Sequence, residues 1–339
     1  MLRKFLVFVM LLACLSVFHV PATAQGDDTL VEGLNGPRGM AYDADGNLYV
    51  AEAGTGGTVV AGNAELGNGS VGGTSQITMV APDGTQSVVV AGLPSLSTGP
   101  EGLGAVHMIV TSDSLWLVLN EGLPMLPFAD SVIELDRATG RMKNFIDLYA
   151  YEQDNNPDGT DEIYSNPTDI ALAGDGTLYI VDTGANTLYT WTEADGLQVF
   201  KSWGDDPVPT AIDFGPDGSI YVGFLGTGIA PGAAHVDQLD ETGEVVQSFG
   251  DLSAVTDIAV MDDGTVYAVQ MLQFGEQGPA PESGSVVALS ADGATPVAEG
   301  LNFPYGLEET PDGNLVVSVN AAFTDPGTGA VQLITLGDM

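Results

Sequence analysis

Short stretches of alternating apolar and polar residues recur along the chain, each followed by a turn and a strand of the Leu-Tyr-Val type. Residues 32–50 read EGLNGPRGMAYDADGNLYV and residues 299–317 read EGLNFPYGLEETPDGNLVV, so the first and last units are close copies. The same pattern returns in four further stretches, at 106–119, 166–180, 209–222 and 256–267. The chain therefore contains six repeat units, and a repeat of this length determines the fold.

Each unit has the signature of a tight hairpin, because an alternating strand leads into an Asp-Gly turn and a second strand leaves it. A third and a fourth strand follow around a second short turn, for example at Asp195-Gly196. This pattern predicts an all-β fold, a six-bladed β-propeller with four-stranded antiparallel blades. The last unit lacks a fourth strand, and residues 29–32 match 295–299, the fourth strand of another unit. We therefore expect the N-terminal strand to close the ring.

The N-terminus has the layout of a secretory signal peptide. Two basic residues precede an apolar run, and a small-x-small site ends at Ala24, so cleavage is expected between Ala24 and Gln25. We predict a secreted protein, periplasmic or extracellular, with residues 1–24 as the signal peptide and 25–339 as a single propeller domain. No later stretch of the sequence is apolar enough to span a membrane.

The composition excludes several classes of chemistry. Cys14 is the only cysteine and lies in the signal peptide, where its lipidation is the alternative to cleavage. A cleaved chain has no thiol, which excludes disulfides, thiol catalysis and Cys-ligated zinc. Cleavage leaves 5 of the 7 basic residues against 46 acidic ones, a net charge of −41. Nucleic acid and anionic membranes are therefore poor partners, and the acidity serves either solubility in salty water or the concentration of cations.

Loop length indicates where binding occurs. The turns within the hairpins are tight, whereas the long connections, including the glycine-rich stretch 54–73, emerge on one face of each meander, where binding usually resides. We interpret 54–73 as a flexible loop over the channel mouth. The residues predicted to ring this mouth and bind a ligand are Arg38, Glu52, Asn120, Glu121, Asp169, Asp182, Asp257, Gln270, Tyr305 and Asn320, with Thr168 and Thr210 beside them. The alternative is that these side chains satisfy strand ends and turns.

Familiar catalytic motifs are missing from the sequence. Only His107 and His235 remain after cleavage, and His107 lies in an apolar strand, which favours a structural role. There is no Gly-x-Ser-x-Gly elbow and no His-Glu-x-x-His helix. The remaining enzymatic hypothesis is metal-assisted hydrolysis, with Glu52, Asn120 and Asp182 holding a divalent ion at the channel mouth and a bound water as nucleophile.

An acidic segment matches the first half of a calcium-binding loop. Asp154, Asn156 and Asp158 supply oxygen ligands at alternate positions, and Glu162 adds a further carboxylate. The second half departs from the pattern, because Ser165 stands where a glutamate is needed and no flanking helix is evident. The segment is a candidate site for Ca²⁺ or another divalent metal, with a solvated acidic turn as the alternative.

Four motifs lie in order along the mature chain: Leu34-Asn35-Gly36-Pro37-Arg38-Gly39-Met40, Leu48-Tyr49-Val50-Ala51-Glu52-Ala53-Gly54-Thr55-Gly56-Gly57, Gly92-Leu93-Pro94-Ser95, and Asn156-Pro157-Asp158-Gly159 followed by Ser165-Asn166-Pro167. In these motifs the chain resembles the ScyD/ScyE family of exported NHL-like propellers. The resemblance implies an extracytoplasmic six-bladed propeller and supplies no reaction. The chain is more distantly similar to gluconolactonase-like enzymes, whose channel metal is held by Glu, Asn and Asp. The resemblance implies Glu52, Asn120 and Asp182 as the metal ligands, but this chain lacks that family's Glu-Gly-Pro and Asn-Gly-Leu segments.

Three functional hypotheses follow from the sequence. The leading one is a secreted, non-catalytic, monomeric protein that binds a small molecule, a glycan or a protein on its loop-rich face. The alternative is a metal-dependent hydrolase, a lactonase or esterase with its metal at the channel mouth. The third is an adhesive surface protein, in which the repeat scaffold presents loops to another cell-surface component.

Overall fold

The structure, a computed structural model, describes residues 28–63, 67–99, 101–120, 126–275 and 278–337. The predicted signal peptide and Glu121 lie outside these ranges. The described chain is a six-bladed β-propeller built from antiparallel blades of four strands, as the repeat predicts. None of its helices within these ranges has the length and the apolar character needed to cross a membrane.

The structural elements follow one another closely along the chain. The strands are β1 (Thr29–Leu34), β2 (Pro37–Tyr42), β3 (Leu48–Glu52), β4 (Val59–Asn63), β5 (Gly67–Val80), β6 (Gln86–Ser97), β7 (Gly102–Leu103), β8 (Ala105–Val110), β9 (Ser114–Leu119), β10 (Ser131–Asp136), β11 (Met142–Asp147), β12 (Pro167–Leu172), β13 (Leu178–Asp182), β14 (Thr187–Thr192), β15 (Gly196–Ser202), β16 (Pro209–Phe214), β17 (Ile220–Phe224), β18 (Ala234–Leu239), β19 (Val245–Leu252), β20 (Val255–Val260), β21 (Val266–Gln270), β22 (Phe274–Gly275), β23 (Gly278–Pro279), β24 (Gly284–Ser290), β25 (Gly293–Leu301), β26 (Leu307–Glu309), β27 (Leu315–Val319) and β28 (Gly329–Ile334). The helical segments are α1 (Leu148–Asn155) and a 3-10 helix (Thr227–Ile229).

The N-terminal strand completes the last blade. The blades are formed by β2, β3, β5 and β6; by β8 to β11; by β12 to β15; by β16 to β19; by β20, β21, β24 and β25; and by β26, β27, β28 and β1. In the sixth blade Thr29 pairs with Gln332 and Leu34 pairs with Gly329. The predicted ring closure is therefore confirmed, and β1 covers the edge that β28 would otherwise expose.

The tight turns follow from their Asp and Gly residues. In the first blade Asp43 Oδ1 accepts hydrogen bonds from the backbone N–H groups of Asp45 and Asn47 at 3.0 and 2.9 Å. Gly46 has a φ of 79°, a conformation that glycine adopts at little cost. The Asp-Gly pairs thus end the first strand of a blade and start the second, which places the inner strands side by side around the channel.

Apolar residues on both faces of the strands hold neighbouring blades together. Val181 and Leu188 of the third blade pack with Ile212 and Val222 of the fourth in one buried cluster. Successive strand residues point to opposite faces, so each blade buries one set against the preceding blade and one against the next. Single repeats therefore depend on both neighbours for a core.

The connection at 148–166 contains a helix that the sequence pattern does not predict. Asp147 caps α1, and its side chain accepts a hydrogen bond from the N–H of Ala150 at 2.9 Å. The prediction that no helix flanks the acidic segment was wrong. A cap and the burial of Leu148 stabilise a helix of only 8 residues, because tertiary contacts outweigh weak helical propensity.

The glycine-rich stretch 54–73 contains strands, so its prediction as a loop was wrong for the described residues. Val59 of β4 pairs with Val71 of β5, which extends the first blade outward. A Cβ atom at Gly57 would lie 2.5 Å from the Cα of Gly72. The glycines therefore allow two backbones to approach closely, which the composition alone does not distinguish from flexibility.

Candidate functional site

Equivalent positions of the inner strands form one layer of the central channel. The third residues of β2, β8, β12, β16 and β20 are Gly39, His107, Asp169, Ala211 and Asp257. In the sixth blade Gly306 precedes β26 and lies against Gly39. A Cβ atom at Gly39 would lie 2.1 Å from Cδ2 of His107, so glycine provides the space that the imidazole occupies.

Three side chains of this layer meet in the channel. The ligand atoms offered by His107, Asp169 and Asp257 all lie within 4.8 Å of one another, and no other such trio of His, Cys, Asp or Glu occurs in the described ranges. His107 Nδ1 lies 2.8 Å from Asp169 Oδ1. Ligand atoms that share one ion at about 2.0–2.6 Å are separated by at most about 5 Å. The spacing therefore suits a single metal ion.

Backbone hydrogen bonds fix both carboxylates in place. The Asp169 oxygens accept from the N–H of the following residue and from that of Ile212 in the next blade, both at 2.7 Å. Asp257 makes the equivalent bonds to the following residue and to Leu307, both at 2.9 Å. Both Asp257 oxygens and Asp169 Oδ2 accept one bond each and keep a lone pair for a cation, whereas Asp169 Oδ1 also lies beside His107 Nδ1.

A second tier of carboxylates lies two residues further along the inner strands. Asp213 and Glu308 line the same cavity, which has a volume of about 420 Å³. The last residues of the inner strands, such as Leu172 and Phe214, are exposed or half-buried, whereas the second residues, such as Thr168, are buried. The cavity therefore opens toward the face that carries the tight turns.

The second residues of the inner strands close the channel toward the loop-rich face. The buried Arg38 places its guanidinium 4.4 Å above the ring centroid of Tyr305 and donates to a backbone carbonyl at 2.9 Å. The hydroxyls of Thr168, Thr210 and Thr256 donate to carbonyls of the next blade at 2.9, 2.9 and 2.8 Å. Arg38 and Tyr305 contact each other, and this layer separates the loop-rich face from the carboxylates.

The predicted residues at the ends of the second strands bind their own loops. Glu52 accepts from Asn35 N at 2.7 Å, from Gln76 Nε2 at 2.8 Å and from Thr78 Oγ1 at 2.5 Å. Asp182 accepts from Ser165 Oγ at 2.6 Å and from three backbone N–H groups.

The amides among the predicted residues are engaged in the same way. The side-chain oxygens of Asn120 and Gln270 accept backbone N–H groups at 2.7 Å, and Asn320 bonds Asn302 at 2.7 Å. None of these amides, nor Glu52 or Asp182, lines the channel cavity. A ligand-binding role for these five residues stays a prediction.

The acidic segment at 154–162 forms a turn closed by its own hydrogen bonds. Asp154 lies exposed on α1, and Glu162 is exposed beyond the turn. Asn156 Nδ2 donates to the carbonyl of Thr160 at 2.8 Å, and Asp158 Oδ1 accepts from the N–H of Thr160 at 3.0 Å. The four predicted ligands therefore do not converge on one point in this structure, and calcium binding by this set stays a prediction.

Burial and mutual repulsion keep protons in the channel near neutral pH. Burial raises the pKa of Asp257 well above its usual range, and the charge of Asp169 adds to the shift. Burial also raises the pKa of Glu308 to about 8 and that of Asp213 to about 6. Burial alone lowers the pKa of His107, but the adjacent Asp169 carboxylate outweighs it and raises that pKa to about 9. A divalent cation that enters the channel would therefore replace protons.

The stability of the metal-free protein should fall as the pH rises from about 5 to about 9. The pKa of Glu308 rises from 4.5 to about 8 and that of His107 from 6.5 to about 9. The folded state therefore binds more protons than the unfolded state in this window, and each step up in pH favours unfolding. Thermal unfolding of chelated protein at half-unit pH intervals measures the effect.

The Glu308→Gln variant is the control for this pH dependence. This variant should remove the part of the pH dependence of stability that Glu308 contributes. That part lies between pH 4.5 and about 8, the pKa values of this carboxyl in the unfolded and the folded state. A melting temperature that rises across the window in the native protein would contradict the assignment.

Sequence reasoning missed part of this site. The apolar strand around His107 favours a structural role, and no sequence motif marks Asp213 or Glu308. A usable signal was present in the repeat: alignment of the six inner strands places His107 at the same position as Asp169 and Asp257. A polar residue that recurs at one position of several blades faces the same layer of the channel.

No family model and no curated protein sequence matches this chain. Similar folds occur in a calcium-binding protein, regucalcin, from Agrobacterium tumefaciens C58, 14% identical with a TM-score of 0.56, covering 90% of this chain and 94% of that one. A gluconolactonase from Xanthomonas campestris is 12% identical with a TM-score of 0.57, covering 90% and 88%. A virginiamycin B lyase from Staphylococcus aureus is 11% identical with a TM-score of 0.52, covering 89% and 96%. At these identities the likeness shows the propeller fold alone, and the ScyD/ScyE resemblance stays a prediction.

Proposed function

We propose that this protein is an exported β-propeller that binds a divalent metal ion in its central channel, with His107, Asp169 and Asp257 as ligands. The observation that carries the proposal is the convergence of their ligand atoms to within 4.8 Å, at a cavity of about 420 Å³. One imidazole nitrogen and two carboxylate oxygens suit manganese or zinc better than calcium, which prefers oxygen ligands alone.

The charge distribution supports a cation as the ligand of this cavity. Asp169, Asp213, Asp257 and Glu308 line it together with a single basic side chain, that of His107. The whole chain carries a formal net charge of −39, which concentrates cations and repels anions near its surface. Metal binding would offset the repulsion that raises the pKa values of the buried carboxyls.

Thermal unfolding tests the proposal directly. After chelation, added manganese or zinc should raise the melting temperature in a saturable way, because an ion that binds only the folded state stabilises it. At about a hundredfold excess over the dissociation constant, the gain in unfolding free energy is about 2.7 kcal/mol. Calorimetric titration in two buffers of different ionisation enthalpy should show proton release on binding. No stabilisation by any divalent ion would reject the proposal.

Metal-dependent hydrolysis is a second candidate function. The cavity leaves open volume beside the three ligand residues, and one protein of similar fold is a gluconolactonase. A bound metal ion acts as a Lewis acid and lowers the pKa of water. In this chain Glu308 lines the same cavity, and burial raises its pKa to about 8 before a metal binds, which favours the protonated form that a general acid requires. Metal-dependent turnover of a lactone panel would support hydrolysis, and no turnover with any ion would reject it.

Export, a monomeric state and an organic or protein ligand on the loop-rich face complete the proposal. The signal-like residues 1–24 support export, and the long connections on one face support a ligand there. A mature N-terminus at Gln25 in the secreted fraction tests export. Light scattering of the purified protein tests the monomeric state.

A further inference from the structure

A carboxylate without hydrogen bonds lies beneath α1. The side chain of Glu152 is 0% exposed, and neither of its oxygens has a hydrogen bond of normal length and angle within the described chain. The buried Tyr189 hydroxyl faces the same carboxylate and likewise lacks such a bond. Burial removes the hydration of these groups, and their weak contact with each other replaces little of it. Two polar groups in this state, side by side, indicate a binding partner.

The surroundings of Glu152 are negative. After burial, the charges of Asp158 and Asp182 are what raise the pKa of Glu152 to about 7. No Lys, Arg or His of the described residues forms an ion pair with any of these three carboxylates. Tyr189 adds no positive charge, and the hydroxyl only weakly favours the ionised carboxyl. The partner that would balance this charge is therefore a cation from solvent.

Of the two neighbouring carboxylates, Asp158 is the more available to a cation. Asp182 is fully buried, and its oxygens already accept the four hydrogen bonds described above. Asp158 Oδ1 accepts from the N–H of Thr160, but its Oδ2 has only a long bond of 3.4 Å to Asn186 Nδ2 in the described chain. Asp158 is half-buried, so its carboxylate is accessible to ions from solvent.

We infer that a hard cation of the calcium class binds between α1 and the turn at 156–160, with Glu152 and Asp158 as its carboxylate ligands. Calcium takes about six to eight oxygen ligands in flexible geometry, so backbone carbonyls and water complete the set. The site offers no nitrogen ligand among these residues, unlike the channel. It is independent of the channel site, and the two differ in the ions that they favour.

This assignment changes the ligand set that the acidic segment suggested. Asp154 and Glu162 are exposed, and Asn156 uses its side chain to close the turn. Glu152 is not part of the loop pattern, because it precedes the segment by two residues and is buried only through the formation of α1. The cation would therefore fasten the helix and its turn to the third blade.

Terbium luminescence excited through tyrosine tests this site, since Tyr189 faces Glu152 and the Tyr151 ring lies 5.3 Å from that of Tyr189. The measurement uses Asp257→Asn protein, so that the channel contributes little. We expect saturable terbium luminescence that calcium displaces. Glu152→Gln should raise the dissociation constant by about 10- to 100-fold or more. Asp154→Asn makes the same charge change on the exposed face of α1 and should leave the constant essentially unchanged.

Melting temperatures distinguish a lost site from a damaged fold. Without calcium at pH 8, Glu152→Gln should melt at or above the parent temperature, because it removes a buried charge, and it should lose the calcium-dependent rise. Equal effects of Glu152→Gln and Asp154→Asn, or a rise produced by sodium as well as by calcium, would overturn the inference. Failure of the channel proposal would instead appear as equal manganese or zinc binding with and without Asp257.

Discussion

Asparagine in place of Asp257 should weaken manganese or zinc binding by about 10- to 100-fold or more. The change removes one of the two carboxylates whose oxygens lie within 4.8 Å of each other and of a His107 nitrogen. The amide oxygen of asparagine is neutral, so the substitution removes the charge attraction and replaces a carboxylate ligand with a weaker one. Calorimetric titration of chelated protein at a fixed pH near 8 gives the two dissociation constants.

Asp213→Asn is the matched control for this variant. Asp213 accepts two backbone hydrogen bonds, from Phe214 and Val260, both at 2.7 Å. An asparagine at 213 therefore disturbs the backbone bonds of the inner strands in the same way as an asparagine at 257. It lines the same cavity but does not belong to the group of three. Metal binding should therefore change much less in Asp213→Asn. Equal losses in the two variants would show that the channel attracts cations by total charge and has no defined ligand set.

The second large effect is expected where the ring closes. Leu34→Ala should lower the free energy of unfolding by about 2–5 kcal/mol, the usual range for a leucine truncated in a core. Leu34 is 2% exposed and belongs to a cluster with Met40 of the first blade and Val316 of the sixth. The substitution therefore weakens the contact between the first and last blades, on which the closed ring depends.

Leu30→Ala is the control, because it truncates the same residue type in the same strand. Leu30 is 42% exposed, and such surface changes usually shift stability by no more than about 0.5 kcal/mol. Denaturant unfolding monitored by fluorescence and by circular dichroism gives both values and tests whether the ring unfolds as one unit. Similar losses in the two variants would mean that β1 contributes little to the closure of the ring.

Much of the fold could be predicted because its signals are local. The Asp-Gly turns, the alternating strands and the missing fourth strand of the last unit each lie within a few residues of one another in sequence. The two elements that the sequence did not predict depend on tertiary contacts. The helix α1 is stabilised by burial of Leu148. The hairpin in 54–73 is stabilised by backbone pairing between β4 and β5, although its high glycine content is typical of a loop. Local helix and strand propensities predict the secondary structure of such segments poorly, since tertiary packing overrides them.

The candidate site was predicted less completely than the fold. The sequence predicts Asp169 and Asp257 as channel residues, whereas the apolar strand around His107 favours a structural role for that residue. Glu52 and Asp182 have the residue types and positions of ligands, yet in the structure their oxygens accept hydrogen bonds at the strand ends. A carboxylate that binds a metal and one that caps a loop look alike in sequence, because the difference lies in which donors surround them.

By itself, the sequence determined the number of blades, the closure of the ring by its N-terminal strand, the excess of negative charge and the lack of any thiol in a cleaved chain. Only the tertiary structure decided that His107 meets Asp169 and Asp257, that their cavity opens at the turn-rich face, and that Glu152 is buried with no hydrogen bond of normal geometry from the described residues. The reason is physical: strand periodicity sets which face of its own blade a side chain occupies. The position of the blades around the axis sets which side chains converge across them.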